Sequence, residues 1–97
     1  MNQIIPWIAG DDGWWAAVNL HNHSAHDTIS RIEESDAAGK VISTRDVTIK
    51  AYGNHGWTVA PGVRTIIIEG DVYVTAHQGN PDVGMTELKA RNLDSKN

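Results

Sequence analysis

His21-Asn22-His23-Ser24-Ala25-His26-Asp27 gathers three of the chain's five histidines within six positions. Residues two apart on a strand share a face, so His21 and His23 would present a pair of imidazoles to one metal ion, with His26 or Asp27 completing the set from the following turn. The chemistry on offer is divalent-metal binding, zinc for example, either for its own sake or in a small metal-dependent hydrolase. A polar loop holds histidines just as well without a ligand, and a metal site also needs outer partners that a sequence does not display. The second group is aromatic. The chain has four Trp and no Phe, with Trp7, Trp14 and Trp15 close together and Trp57 later. Adjacent Trp14 and Trp15 would point to opposite faces of a strand, which leaves one of them outside the core. Trp is rigid and enriched at interface hot spots, so Trp7, Trp14, Trp15 and Trp57 are candidate binding residues, although a small sheet also uses Trp to cover an open face.

Other catalytic arrangements find little support. Ser24 adjoins His23 and His26 in sequence only, with no Gly-x-Ser-x-Gly elbow. Gly53-Asn54-His55-Gly56 and Gly79-Asn80-Pro81 lack the spacing of a phosphate loop and read as turns. Glu69 and Asp71 share the polar side of a strand, as solvated strand faces commonly do. Asn19-Leu20-His21-Asn22-His23-Ser24 resembles the first motif of the polymerase-and-histidinol-phosphatase metal-dependent phosphoesterases, where a strand ends in His-x-His followed by Ser or Thr. The likeness spans six residues and implies a distorted α/β barrel well over twice this length, with further His and Asp ligands from later strands. Here only His55 and His77 remain as imidazoles, and Asn19 stands where that family usually has Asp. The segment is similar as well to the His-x-His-x-Asp-His motif of the metallo-β-lactamase fold, with Ala25 in place of the Asp. Neither fold can be built from this chain, and no activity is carried over.

The elements that must position these residues are strands. Ile and Val number 18 and Thr adds 7, against 3 Leu, and β-branched side chains favour pleated sheets over helices. The expected fold is mainly β, or α+β: a small single-domain antiparallel sheet with at most one or two short helices. Trp14 to Leu20 is a strand after an Asp11-Asp12-Gly13 turn. Glu33 to Lys40 reads as a hairpin loop with Gly39 at positive φ, ahead of a short helix capped at Ser30. Val41 to Tyr52 follows as a strand, and Trp57-Thr58-Val59 is a short one between turns at Gly53–Gly56 and Ala60–Gly62. Arg64 to Ala76 keeps one parity through Ile66, Ile68, Val72, Val74 and Ala76, which favours a continuous or Gly-bent strand over a hairpin turning at Glu69-Gly70-Asp71. Gln78 to Asp82 is a loop, Met85 to Leu93 a last helix or edge strand, and Asp94 to Asn97 a fraying tail. The spacing of Val47, Trp57, Ile66 and Val72 is too uneven for a β-helix.

Composition narrows the function classes. The chain is 97 residues with 40% hydrophobic and 21% charged residues, ordinary values for a single folded domain. Its longest apolar run, Trp14 to Val18, is too short for a membrane helix, and no basic-then-apolar leader opens it, so no membrane partner is expected. Eight Lys plus Arg against twelve Asp plus Glu give a formal charge of −4. Scattered cations on an acidic chain argue against nucleic acid as a partner, and the acidic residues are too dispersed for a DNA mimic. The absence of Cys removes disulfides and thiolate chemistry and favours a cytoplasmic setting. The reading that results is a non-enzymatic binding or inhibitory module, of the kind found as accessory proteins of bacteria or phages. It would recognise a protein or small ligand through a Trp-rich surface or a sheet edge, and act as a homo-oligomer because a small domain gains by sharing surface. The alternatives are the metal site of His21, His23, His26 and Asp27, and a structural assembly component.

Overall fold

Alternating β-branched residues extend most of this chain, because their branched Cβ packs well on a pleated surface. The computed structural model describes residues 2–9, 13–82 and 84–93. Among them stand β1 (Asn2–Ile5), β2 (Trp15–His21), β3 (Thr28–Ser35), β4 (Val41–Ile49), β5 (Asn54–Thr58), β6 (Thr65–Glu69), β7 (Tyr73–Asn80), β8 (Gly84–Leu88) and β9 (Arg91–Asn92), with no helix. They form a five-stranded sheet in the order β4-β3-β6-β1-β9 and a four-stranded sheet in the order β5-β2-β7-β8, both antiparallel. The expected small antiparallel β domain is what forms, as two sheets rather than one. None of the described residues belongs to a helix long and apolar enough to cross a membrane.

Strand register decides which side chains share the inner faces. Ile32 sits opposite Ile68 and Ile5 opposite Ile66 in one sheet, Val18 opposite Ala76 and Leu20 opposite Val74 in the other. Ile5, Ile32, Ile49, Ile66 and Ile68 face Ala16, Val18, Leu20 and Ala76 across one core, with Ile8, Val59, Val63 and Val72 contributed by the connections. Each large aliphatic side chain so buried stabilises the fold by roughly 1.5–3 kcal/mol.

Several elements differ from the sequence reading. Arg64–Ala76 is neither one strand nor a hairpin, because β6 and β7 belong to different sheets. The chain leaves the first sheet at Gly70, where φ is +130° and a Cβ would stand 3.1 Å from the Ile29 carbonyl oxygen, so a residue with a side chain would be strained there. Parity survives the crossing since Ile66 and Ile68 point inward from one sheet and Ala76 inward from the other. The β3–β4 hairpin forms, but Glu33, Glu34 and Ser35 are strand and the turn is confined to Asp36–Lys40, with Gly39 at φ +84°. The turn expected at Gly53–Gly56 closes earlier, through a Gly53 N–H to Lys50 carbonyl bond of 2.8 Å, leaving Asn54, His55 and Gly56 in β5. Gln78, Gly79 and Asn80 extend β7 instead of looping, and the residues after Met85 become edge strands of both sheets. β1, which no signal near the N-terminus announced, fills the gap between β6 and β9. Asp11, Asp12 and the tail from Asp94 to Asn97 lie outside the described residues.

One flank of the sandwich is closed by polar groups. β4 and β5 are the edges of their sheets on this side, and Glu34 points inward between them at 5% exposure. Arg45 Nη1 donates to Glu34 Oε1 at 2.7 Å, Trp57 Nε1 donates to Oε2 at 3.2 Å, and the Arg45 guanidinium lies 4.9 Å from the Trp57 ring centroid. The carboxylate thereby ties the five-stranded sheet to the four-stranded one. Breaking this buried group is expected to matter far more than breaking a surface pair. Arg45→Ala should lower unfolding stability by about 2–3 kcal/mol by leaving a buried carboxylate uncompensated. Arg31→Ala, which removes the exposed Arg31–Asp46 pair, should cost less than about 1 kcal/mol. Urea unfolding of the two variants distinguishes them, and equal losses would contradict the assignment.

Candidate functional site

The His-rich segment begins where β2 ends, and its organising residue is Asn22. That side chain is buried at 3% exposure. Its Nδ2 donates to the carbonyls of His26, Ile49 and Lys50 at 2.7, 3.1 and 3.2 Å, while its Oδ1 accepts from the Ser24 N–H and hydroxyl at 2.9 Å each. An Asn bonding to the backbone two residues on is a local turn former, and here it clamps the β2–β3 connection onto the end of β4. Asp27 extends the clamp by accepting from the Ala51 N–H at 3.0 Å and from Lys50 Nζ at 3.3 Å. The Ala51 N–H first, and Lys50 second, hold the Asp27 carboxyl below its ordinary value.

The four proposed metal ligands do not converge on one point. His21 Nε2 lies 2.7 Å from Asn19 Nδ2, and Asn19 Oδ1 accepts from Asn54 Nδ2 at 3.1 Å. With the Asn19 amide N–H donating, His21 Nε2 is the acceptor. His21 and His23 do come together, but around an aromatic ring: their centroids lie 6.2 and 5.5 Å from that of Tyr73. His26 is exposed in the turn. Among the described residues no group of three His, Asp or Glu is placed to hold a metal ion.

The outer face of the four-stranded sheet is the other prominent surface. Register arranges its side chains in four rows, Trp15–Gly79–Met85, Thr58–Ala17–His77–Glu87, Gly56–Asn19–Thr75 and Asn54–His21–Tyr73. Small residues in the middle rows leave a shallow trough of about 360 Å³, lined by Ala17, Asn19, Gly56, Thr58, Thr75 and His77, with Val18 and Trp57 from the intervening positions. Aromatic rings rise at both ends. At one, the Trp15 indole lies across Gly79, where an added Cβ would meet three ring atoms at 2.5–2.9 Å. Trp15 is nonetheless 41% exposed, so the ring rests with one face on the backbone and offers the rest to solvent. At the other end Tyr73, 55% exposed, is braced by His21 and His23. The middle of the trough is polar and fixed, because Asn54 orients Asn19.

Of the four candidate Trp residues, Trp15 stands on this face and Trp57 contributes to the lining of its trough. Trp57 turns inward to Glu34, and Trp14 precedes the strand, half-buried. Trp7 is exposed in the connection after β1 with the Arg64 guanidinium 5.7 Å from its ring. Tyr73, Thr75, Asn19 and Gly79 were not singled out by sequence. The outward parity of β7 carries Tyr73, Thr75, His77 and Gly79 together, but the last of these read as loop glycine. No protein-family model, curated protein or solved structure matches the chain.

Two variants test this geometry. A carboxyl held low by its partners contributes stability that is fully present above its ordinary value of 3.8 and is lost as pH falls through the lowered one. Asp27→Asn, which keeps an acceptor for the Ala51 N–H, should therefore lose less of its urea midpoint below pH ~4 than the parent chain does; identical acid profiles would exclude the contribution. Gly79→Ala should lift the Trp15 indole from its seat, shifting that residue's Nε1–H resonance in NMR spectra while leaving that of Trp57 in place.

Proposed function

We propose that this chain is a non-enzymatic binding module whose recognition surface is the outer face of its four-stranded sheet. The observation that carries the reading is the Trp15 indole laid flat over Gly79 at the head of a trough floored by small and hydrogen-bonding residues. Ligand sites characteristically combine apolar area with a few fixed polar groups, and this face offers both. Trp15 and Tyr73 supply rigid rings at little entropic cost, since each has only two side-chain torsions to fix. Asn19, Thr58, Thr75 and His77 supply donors and acceptors between them, and the Asn54–Asn19–His21 chain of hydrogen bonds reduces what binding must order. Trp7 and Trp14 do not line the trough, whereas Trp57 contributes to its wall while its indole N–H is committed to Glu34.

A fragment screen by NMR chemical-shift mapping tests the reading. Uncharged aromatic and polyol fragments should perturb the amides of Trp15, Asn19, Thr75 and His77, and Trp15→Ala should weaken those hits by about ten-fold, the value of one aromatic contact. Hits confined to the five-stranded sheet or to the loops, or no hits at all, would overturn it.

A further inference from the structure

We infer that the ligand of this face is a neutral oligosaccharide lying along β2 between Trp15 and Tyr73; the inference rests on the reading of this face as a binding surface. Charge is the first argument. The four rows contain no Lys or Arg and one carboxylate, Glu87, on the edge strand β8. A phosphate backbone would meet no Lys or Arg in these rows, on a chain whose formal charge is −4. A basic peptide would need carboxylates on the floor, where there are amides, hydroxyls and an imidazole. Charge complementarity therefore selects an uncharged ligand.

The hydrogen-bonding pattern is the second argument. Asn19 and Asn54 carry both donors and acceptors, Thr58 and Thr75 carry hydroxyls that do either, and His77 has one of each when neutral. A sugar hydroxyl is likewise donor and acceptor, so a chain of pyranose rings can satisfy every group on such a floor. A proline-rich helix, which also docks on aromatic grooves, presents carbonyl acceptors and no matching donors, and would leave the floor's acceptors unpaired. The aromatic ends are the third argument. A pyranose ring has an apolar face of C–H groups that stacks on an aromatic plane, and Trp15 exposes such a plane because Gly79 lets the indole lie flat. Tyr73 provides a second, paired across the sheet with His21. Trp15 and His21 are six residues apart on one strand, so the platforms are about 20 Å from each other, a span for several sugar rings and too long for one.

Calorimetric and NMR titration of the full chain with hexasaccharides of cellulose, xylan, mannan, amylose and laminarin tests the assignment, with decaproline and a heparin hexasaccharide alongside. At least one neutral hexasaccharide should bind, with shifts along the four rows and a change in Trp emission, and the corresponding monosaccharide should bind at least ten-fold more weakly. Trp15→Ala should reduce affinity about ten-fold, and Trp15→Tyr should restore most of it. Ala17→Phe, which fills the trough from an outward strand position, should abolish binding while its circular dichroism and unfolding midpoint stay near those of the parent. The inference is overturned if no neutral hexasaccharide binds, or if decaproline or the heparin fragment binds in their place. If saccharides fail while the fragment screen still maps to this face, the surface stands and only its ligand class falls.

Discussion

An antiparallel sheet with one apolar face persists in water only when that face is covered, and in this molecule no described helix covers it. Each sheet must cover the other. That requirement governs the path of the chain, which stays within a sheet only at the β3–β4 and β7–β8 hairpins and otherwise changes sheet at every connection between described strands. Sequence neighbours are therefore seldom sheet neighbours, and β1 pairs with β6 and β9 rather than with β2. Gly70 shows the constraint at one residue, since the chain there crosses beside β3 at φ +130°, where a residue with a side chain would be strained.

Mutual coverage leaves the flanks to be sealed. At the edge formed by β4 and β5 the inner faces diverge from pure aliphatic packing, and Glu34 enters with Arg45 and Trp57 as its partners. A buried carboxylate is costly unless it is paired and hydrogen-bonded, and both of its oxygens are satisfied, one from each sheet's edge strand. The indole N–H of Trp57, a candidate binding residue in the sequence, is thereby committed to structure. Sealing at the far end of the sheet falls to Asn22, whose buried amide gathers three carbonyls and a serine.

The inner faces are spent on each other, and the two outer faces left to solvent differ. The outer face of the five-stranded sheet carries Arg31, Asp46 and Glu69 beside exposed Ile29 around a hollow of about 440 Å³, a mixed, charged and salt-bridged surface. The outer face of the four-stranded sheet is nearly uncharged, with Trp15 seated on Gly79 at one end and Tyr73 beside His21 and His23 at the other. Position on the fold rather than residue type separates Trp15 from the other three tryptophans.

Much of the architecture was legible from β-branched content and period-two parity: a β-rich antiparallel domain, the β3–β4 hairpin with Gly39, the strand at β2, and the inward set Ile66, Ile68, Val72 and Ala76. These follow from local properties, rotamer restriction and face alternation, which a linear chain carries by itself. The partition into two sheets was not legible, since an inward parity reads the same whether the chain continues, turns back or crosses over. Nor was the face to which the chemistry belongs. His21 and His23 share a parity that suits a metal pair, yet in the fold both rings lie beside Tyr73 and Asn19 donates to the His21 ring nitrogen. Gly79 looks like a loop residue until Trp15, sixty-four positions earlier in the chain, folds across it. Composition and alternation determined that this protein is a sheet protein with Trp to spare; only long-range register, fixed by the need to bury both apolar faces at once, decided which rings remained outside and what they could hold.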